Sequence, residues 1–189
     1  ERQSTFSRDS VEYKSSMANN LGNTVSLGTH IADVHADGIT GNGVRIAISD
    51  VGVEINHDDL VDNGLDGLHR DYSLSSPYAG DPIPTSAHGT AVTGIINAIG
   101  WNNMGSRGVA PKAKFAGFQF INSLQSTSIL IHQAQGDFNI FNFSYGDSLF
   151  EDTLSDDDYL DHLKYQALNN NKFFLKAAGN EYLSGVGNV

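Results

Sequence analysis

The sequence predicts an α/β fold: a parallel sheet with helices packed on both of its faces. Three observations predict it. Val44-Arg45-Ile46-Ala47-Ile48-Ser49-Asp50 is a short β-branched run ending on a carboxylate, which reads as a buried strand. Comparable short runs recur at residues 114–120, 139–144 and 172–178. Helix-patterned stretches at 88–98, 124–135 and from Ser155 onward separate these runs, and strands alternating with helices build parallel sheets. No internal repeat or low-complexity tract interrupts the pattern.

Taken in order, residues 1–38 are polar and weakly periodic, with a turn cluster at Asn19-Asn20-Leu21-Gly22-Asn23. They read as an arm laid over the surface, with the arm proper at 1–34 and the body of the domain at 35–189. Gly41-Asn42-Gly43 introduces the first strand, which ends on the carboxylate of Asp50. The C-terminal ends of such strands are where open α/β sheets gather functional groups. The glycines precede the strand rather than follow it, so they do not make a dinucleotide-binding loop. Between Val51 and Ala87 the many Asp, Asn, Gly, Ser and Pro residues read as surface loops. From 88 to 98, small residues at 89, 91, 94 and 98 and the apolar Val92, Ile95 and Ile96 predict a helix buried on most sides. His88 stands at its N-terminal mouth. A turn-rich loop at 100–108 follows, and the last strand, 172–178, runs into Gly179-Asn180.

At 189 residues, with 39% apolar and 10% aromatic side chains, the chain is long enough for one domain with a sizeable core. Its 22 acidic and 11 basic residues give a formal charge of -11, which disfavours phosphate backbones and anionic membranes as partners and suits a cation such as calcium. There is no cysteine, which excludes disulfides, thiolate metal sites and a cysteine nucleophile. No apolar run approaches the length of a membrane span. A start at Glu1 is compatible with a processed mature form, secreted, extracellular or periplasmic.

Several polar features have ordinary explanations. Ser155 followed by Asp156, Asp157 and Asp158 is helix N-terminal chemistry, a capping hydroxyl with first-turn carboxylates, rather than a metal site. Asn142-Phe143-Ser144 matches a glycosylation acceptor but falls at a buried strand end. His30, His35, His57 and His69 lack the spacing of a helical zinc pair and read as scattered surface histidines. Three residues remain where chemistry is assembled: Asp50 at one strand end, His88 at a helix mouth and Asn180 past another strand end. An acid, an imidazole and an amide are an orienter, a proton carrier and an oxyanion donor.

Their flanking segments are specific as a set: Asp50-Val51-Gly52-Val53-Glu54-Ile55-Asn56-His57-Asp58-Asp59-Leu60, His88-Gly89-Thr90, Gly108-Val109-Ala110-Pro111, Asn142-Phe143-Ser144-Tyr145-Gly146 and Ala177-Ala178-Gly179-Asn180. In this order they resemble the subtilisin-like serine peptidases, over about residues 35–182. Glu54-Ile55-Asn56-His57 before an Asp-Leu pair, Trp101-Asn102-Asn103 and the aromatic between Ser144 and Gly146 resemble the kexin-type branch most. The resemblance implies that Asp50 holds the Nδ1 proton of His88, that Nε2 accepts the proton of a serine hydroxyl, and that Asn180 donates to the oxyanion. It also implies that Ser144, Tyr145 and Gly146 form one rim of a cleft that takes an extended peptide or protein substrate as an added strand, with Ala178 and Gly179 also in contact with it. Asp59, Asn102 and the carbonyls of Ile99, Met104 and Ser106 map onto the family's structural calcium site.

Two departures qualify this picture. Subtilases carry their nucleophile in a Gly-Thr-Ser segment downstream of the oxyanion Asn, and only nine residues follow Asn180 here. The expectation is therefore that this chain forms the N-terminal portion of the domain, with a second polypeptide segment supplying the catalytic serine. Standing alone it is expected to be inactive, with its sheet and the helix at 88–98 exposed. The alternative is a non-catalytic, peptide-binding or scaffold module of the same fold. Secondly, Val51 stands where kexin-type enzymes place an acid that holds a basic substrate side chain. Cleavage at paired basic residues is not expected, and Asp147, Glu151 and Asp152 are left to give a milder basic preference at one subsite.

Overall fold

The computed structural model of the chain describes residues 31–121, 126–145 and 156–177. Its sheet has five strands: β1 (Arg45–Asp50), β2 (Arg70–Asp71), β3 (Lys114–Gln119), β4 (Ile140–Phe143) and β5 (Phe173–Lys176). They lie in the order β2-β3-β1-β4-β5, and every pairing is parallel. Four α-helices accompany them among the described residues: α1 (Ile31–Ala36), α2 (His88–Asn97), α3 (Thr127–Gln135) and α4 (Asp156–Asn170).

The two-residue period of β1 divides the interior into two layers. Ile46 and Ile48 pack with Val53, Leu60 and Phe115 on one face, where Val92 and Ile96 of α2 close over them. Ala47 points the other way, into a layer of Tyr72, Phe118, Phe120, Phe141 and Phe143 that meets Ile129 and Leu130 of α3. Helices on both faces follow directly, as the sequence predicts. Each fully buried Phe or Ile contributes about 1.5–3 kcal/mol, so the central strands β1 and β3, each with five of six residues buried, hold the domain together. Phe174 of β5 stacks on Phe141 at 4.8 Å and extends the second layer to the sheet edge.

Two expectations change. Helix α2 is not buried on most sides. Only Gly89, Thr93 and Asn97, one stripe at four-residue spacing, are buried, while Ile95 is 46% exposed and Ala91 is exposed. Ala91, Gly94 and Ile95 instead flank an open groove of about 980 Å³. Apolar periodicity shows what a helix can bury, and the described residues supply a partner for one side of it. Residues 31–36 form a short helix, held by the bond between His35 Nε2 and the Val109 carbonyl at 2.9 Å. Among the loops at 51–87 lies the two-residue β2, which exists because β3 offers it an edge, not because of its own composition.

Helix α3 begins at Thr127 behind the Ser126 side chain, which accepts from the Ile129 N–H; Leu124, where its start was expected, lies outside the described residues. So do Ser155 and the acids at 151 and 152. Among the described residues no helix is long and apolar enough to cross a membrane.

Candidate active site

Asp50 closes β1 and is completely buried. A bare carboxylate there would be costly, and it is compensated by two donors. The Val51 N–H donates to Oδ1 at 2.7 Å, and His88 Nδ1 lies 2.8 Å from Oδ1 and 3.0 Å from Oδ2. A nitrogen at hydrogen-bond distance from both oxygens of a carboxylate carries the proton, so Nε2 is left as the basic lone pair. Nε2 has no partner among the described residues, and the His88 side chain is 54% exposed. One side of the imidazole is thus anchored in the interior and the other is open.

The chain arranges this contact by laying the first turn of α2 across the end of β1. A Cβ on residue 89 would lie 2.1 Å from the Gly52 carbonyl oxygen and 3.0 Å from Asp50 Cβ, so only glycine permits the approach. The Thr93 hydroxyl donates to the Gly89 carbonyl at 2.7 Å, and the Thr90 hydroxyl accepts the Glu54 N–H at 3.0 Å. The loop before the helix is tied by Thr85 N–H to the Val51 carbonyl at 3.0 Å. Gly89, which the sequence gives as a small helix residue within His88-Gly89-Thr90, is therefore a determinant of the site. Gln119, opposite Asp50 in the β1–β3 register, was not legible from sequence; it is buried, and its Oε1 has no hydrogen-bond partner among the described residues.

Ser144 and Tyr145 continue the chain beyond Phe143, which pairs with Ser49 one residue before Asp50. They thus lie at the same C-terminal end of the sheet as the Asp50–His88 pair. Asn142 Nδ2 donates to Ser144 Oγ at 2.7 Å, and the Tyr145 ring packs on Phe120 and Phe143 at 5.6 and 5.9 Å. β5 reaches that end too, tied there by the Ala177 N–H to the Phe143 carbonyl. Gly146, Asp147, Ala178, Gly179 and Asn180 lie outside the described residues.

The residues assigned to calcium converge on Asp59, whose side chain is buried. Asn102 Nδ2 donates to Oδ1 and Ser106 N–H to Oδ2, each at 2.9 Å. The Ile99 N–H donates to the Asp59 carbonyl at 2.9 Å, and Met104 N–H to Asn102 Oδ1 at 3.1 Å. At Gly105 a Cβ would meet Asp59 Oδ2 at 2.3 Å, so the loop could not wrap the carboxylate with any side chain there. Among the described residues no three His, Asp or Glu side chains cluster. In this arrangement the Asp59 carboxylate accepts from the Asn102 amide and the Ser106 N–H, and the Asn102 side-chain oxygen accepts from the Met104 N–H.

Two histidines are not surface residues as expected. His35 is buried beneath Trp101. His69 is buried against Phe115, its Nδ1 accepting the Gly117 N–H at 3.0 Å. Burial pushes its pKa below 6.5, opposed by Asp66 and Asp81 and assisted by Arg70. On the α3 side, Tyr72 OH and His132 Nδ1 are 3.0 Å apart; burial pushes the phenol up and the imidazole down.

With the sheet-end acid and the helix-mouth imidazole in contact, similarity to known proteins becomes informative. Residues 41–188 match the subtilase (peptidase S8) family. The chain belongs to the subtilase family. It is 37% identical over 168 residues to the Aeromonas extracellular serine protease of Aeromonas sobria, covering 82% of this chain and 25% of that protein. It is 33% identical over 113 residues to human neuroendocrine convertase 2, covering 57% of this chain and 17% of the relative, which agrees with the kexin-type character of its motifs. The crystal structure of the Aeromonas sobria protease in complex with its chaperone superposes with a TM-score of 0.67 at 35% identity, over 78% of this chain and 26% of that one. This subtilase chain thus spans about a quarter of the length of the Aeromonas relative.

Proposed function

We propose that the chain is the N-terminal portion of a subtilisin-like serine endopeptidase, contributing Asp50 and His88 to an Asp-His-Ser triad and Asn180 to the oxyanion hole. The observation that carries this reading is the contact of His88 Nδ1 with both oxygens of the buried Asp50, at 2.8 and 3.0 Å, with Nε2 left open. In that role Asp50 fixes the imidazole orientation and tautomer. His88 Nε2 takes the proton of an attacking serine hydroxyl and returns it to the leaving amine. Asn180 donates its amide to the developing oxyanion; in subtilisin itself, loss of the equivalent donor costs about 10²–10³ in rate. Ser144, Tyr145 and Gly146 form one rim of a cleft that takes an extended peptide as an added strand, with Ala178 and Gly179 also in contact with it.

The serine belongs to further polypeptide. Supporting this are the surfaces that a completed domain would cover: Ile95 on the open side of α2, and Phe173 and Leu175 of β5, which are 65% and 53% exposed. Apolar faces of this kind mark contact surfaces. Calcium binds at Asp59 and Asn102 with carbonyls of Ile99, Met104 and Ser106, and holds the 99–106 loop against the body of the domain. An extracellular or secreted location accords with the named relatives. Substrates are peptides or proteins, with a mild basic preference rather than a dibasic requirement because Val51 adjoins Asp50.

The test is labelling of the longer polypeptide by a fluorophosphonate, combined with hydrolysis of peptides varied at P1 and P2. Labelling at a serine together with cleavage supports the peptidase. Peptide binding with neither identifies a scaffold module and defeats the proposal, and equal cleavage after Leu and Arg defeats the basic preference.

A further inference from the structure

The chain contains two Asn–Gly pairs, Asn42-Gly43 and Asn63-Gly64. In such pairs the glycine nitrogen attacks the asparagine side-chain carbonyl with no Cβ in the way, so the sequence makes the two equally reactive. The fold does not. Asn42 and Gly43 are both exposed, and neither the Asn42 side chain nor the Gly43 N–H has a hydrogen-bond partner among the described residues. The space around Gly43 is open, with no atom within 4 Å of where a Cβ would stand. Asn63 is buried, with Nδ2 donating to the Asn97 and Pro111 carbonyls at 2.8 and 2.9 Å, and the Gly64 N–H donates to the Val61 carbonyl at 3.1 Å. Both reactants of the second pair are thereby held apart from each other.

We infer that Asn42 is a site of spontaneous deamidation and isoaspartate formation in the folded protein, and that Asn63 is protected by the fold. The Gly43 nitrogen, losing its proton to solvent base, bonds to Asn42 Cγ as the bond from Cγ to the side-chain nitrogen breaks and ammonia leaves. Water then opens the cyclic imide at either carbonyl, giving aspartate or isoaspartate. The product carries one more negative charge, and the isoaspartate form adds a methylene to the main chain of the turn. That turn is anchored on each side by the Val44 N–H to the Gly41 carbonyl at 3.0 Å, Lys112 N–H to Thr40 at 3.0 Å and Lys114 N–H to Val44 at 2.9 Å. It lies at the opposite end of β1 from Asp50, so the Asp50–His88 contact persists through the change.

The experiment is incubation of the longer polypeptide at mildly alkaline pH, folded and in parallel in urea, followed by peptide mapping. In the folded sample residue 42 gains about one dalton and splits into aspartate and isoaspartate peptides. Residue 63 reacts on the order of a hundredfold more slowly, the factor that breaking its three hydrogen bonds imposes. In urea the two react alike, and Asn42→Gln removes the native product. Equal native rates at 42 and 63, or reaction at neither in the folded chain while both react in urea, would overturn the inference.

Discussion

Gly89→Ala is the substitution that most directly probes how the fold builds the acid–imidazole contact. The added Cβ would lie 2.1 Å from the Gly52 carbonyl oxygen, whereas real Cβ contacts essentially never fall below 3.0 Å. The first turn of α2 must therefore retreat by about 0.9 Å from the end of β1, since its other neighbours, Asp50 Cβ and Cγ at 3.0 and 3.2 Å, are equally unyielding. If His88 follows the helix, its 2.8 Å bond to Asp50 stretches to about 3.7 Å, beyond hydrogen-bond range. Overpacking of this kind costs about 1–3 kcal/mol. Gly94→Ala is the matched control: the same residue change on the same helix, with nothing within 4 Å of the new carbon. There the gain in helix propensity stabilises by up to about 1 kcal/mol. Urea unfolding measures the two energies, and long-range ¹H–¹⁵N spectra of the histidines report the protonated Nδ1 of His88. Opposite signs of stability change, with loss of that signal only in the residue 89 variant, are expected. An alanine at 89 that leaves both unchanged would refute the requirement for close approach.

His69 makes stability pH-dependent. Its folded pKa is depressed by burial, so the unfolded chain binds the proton first. Its contribution is present above 6.5 and is lost as pH falls below it; His69→Asn, which keeps an acceptor for the Gly117 N–H, should flatten the fall in urea midpoint over that range. Asn63→Asp replaces two buried donations with a carboxylate facing two carbonyls, and an unfolding free energy lower by about 2–5 kcal/mol is expected in urea titrations. Calcium at a hundredfold excess over its dissociation constant should stabilise the chain by about 2.7 kcal/mol, and Asp59→Asn should abolish the increment in thermal melts.

The layers of the fold were legible because short buried runs at 44–50 and 114–120 mark strands covered on both faces, and the two-residue period of a strand then divides Ile46 and Ile48 from Ala47, and Phe115 from Phe118. The site was legible as residue types at strand and helix ends, and Asp50 and His88 do meet. What the sequence hid are features set by neighbours. β2 owes its existence to the edge of β3, and Gln119 becomes a neighbour of Asp50 only through the β1–β3 register. His35 and His69 are buried by segments distant in sequence, Val109 and Gly117, which no local pattern announces. The open side of α2 shows the converse: Ala91, Gly94 and Ile95 look like core and face a groove.

The central claim is that Asp50 and His88 serve a serine in acyl transfer, and the rate of phosphonylation of the longer polypeptide tests it most directly. A fluorophosphonate reacts with a serine only to the extent that a base removes its proton. His88→Ala should slow labelling by several orders of magnitude and Asp50→Asn by about 10⁴, with the chain remaining folded by circular dichroism. Labelling at the wild-type rate in both variants would contradict the claim.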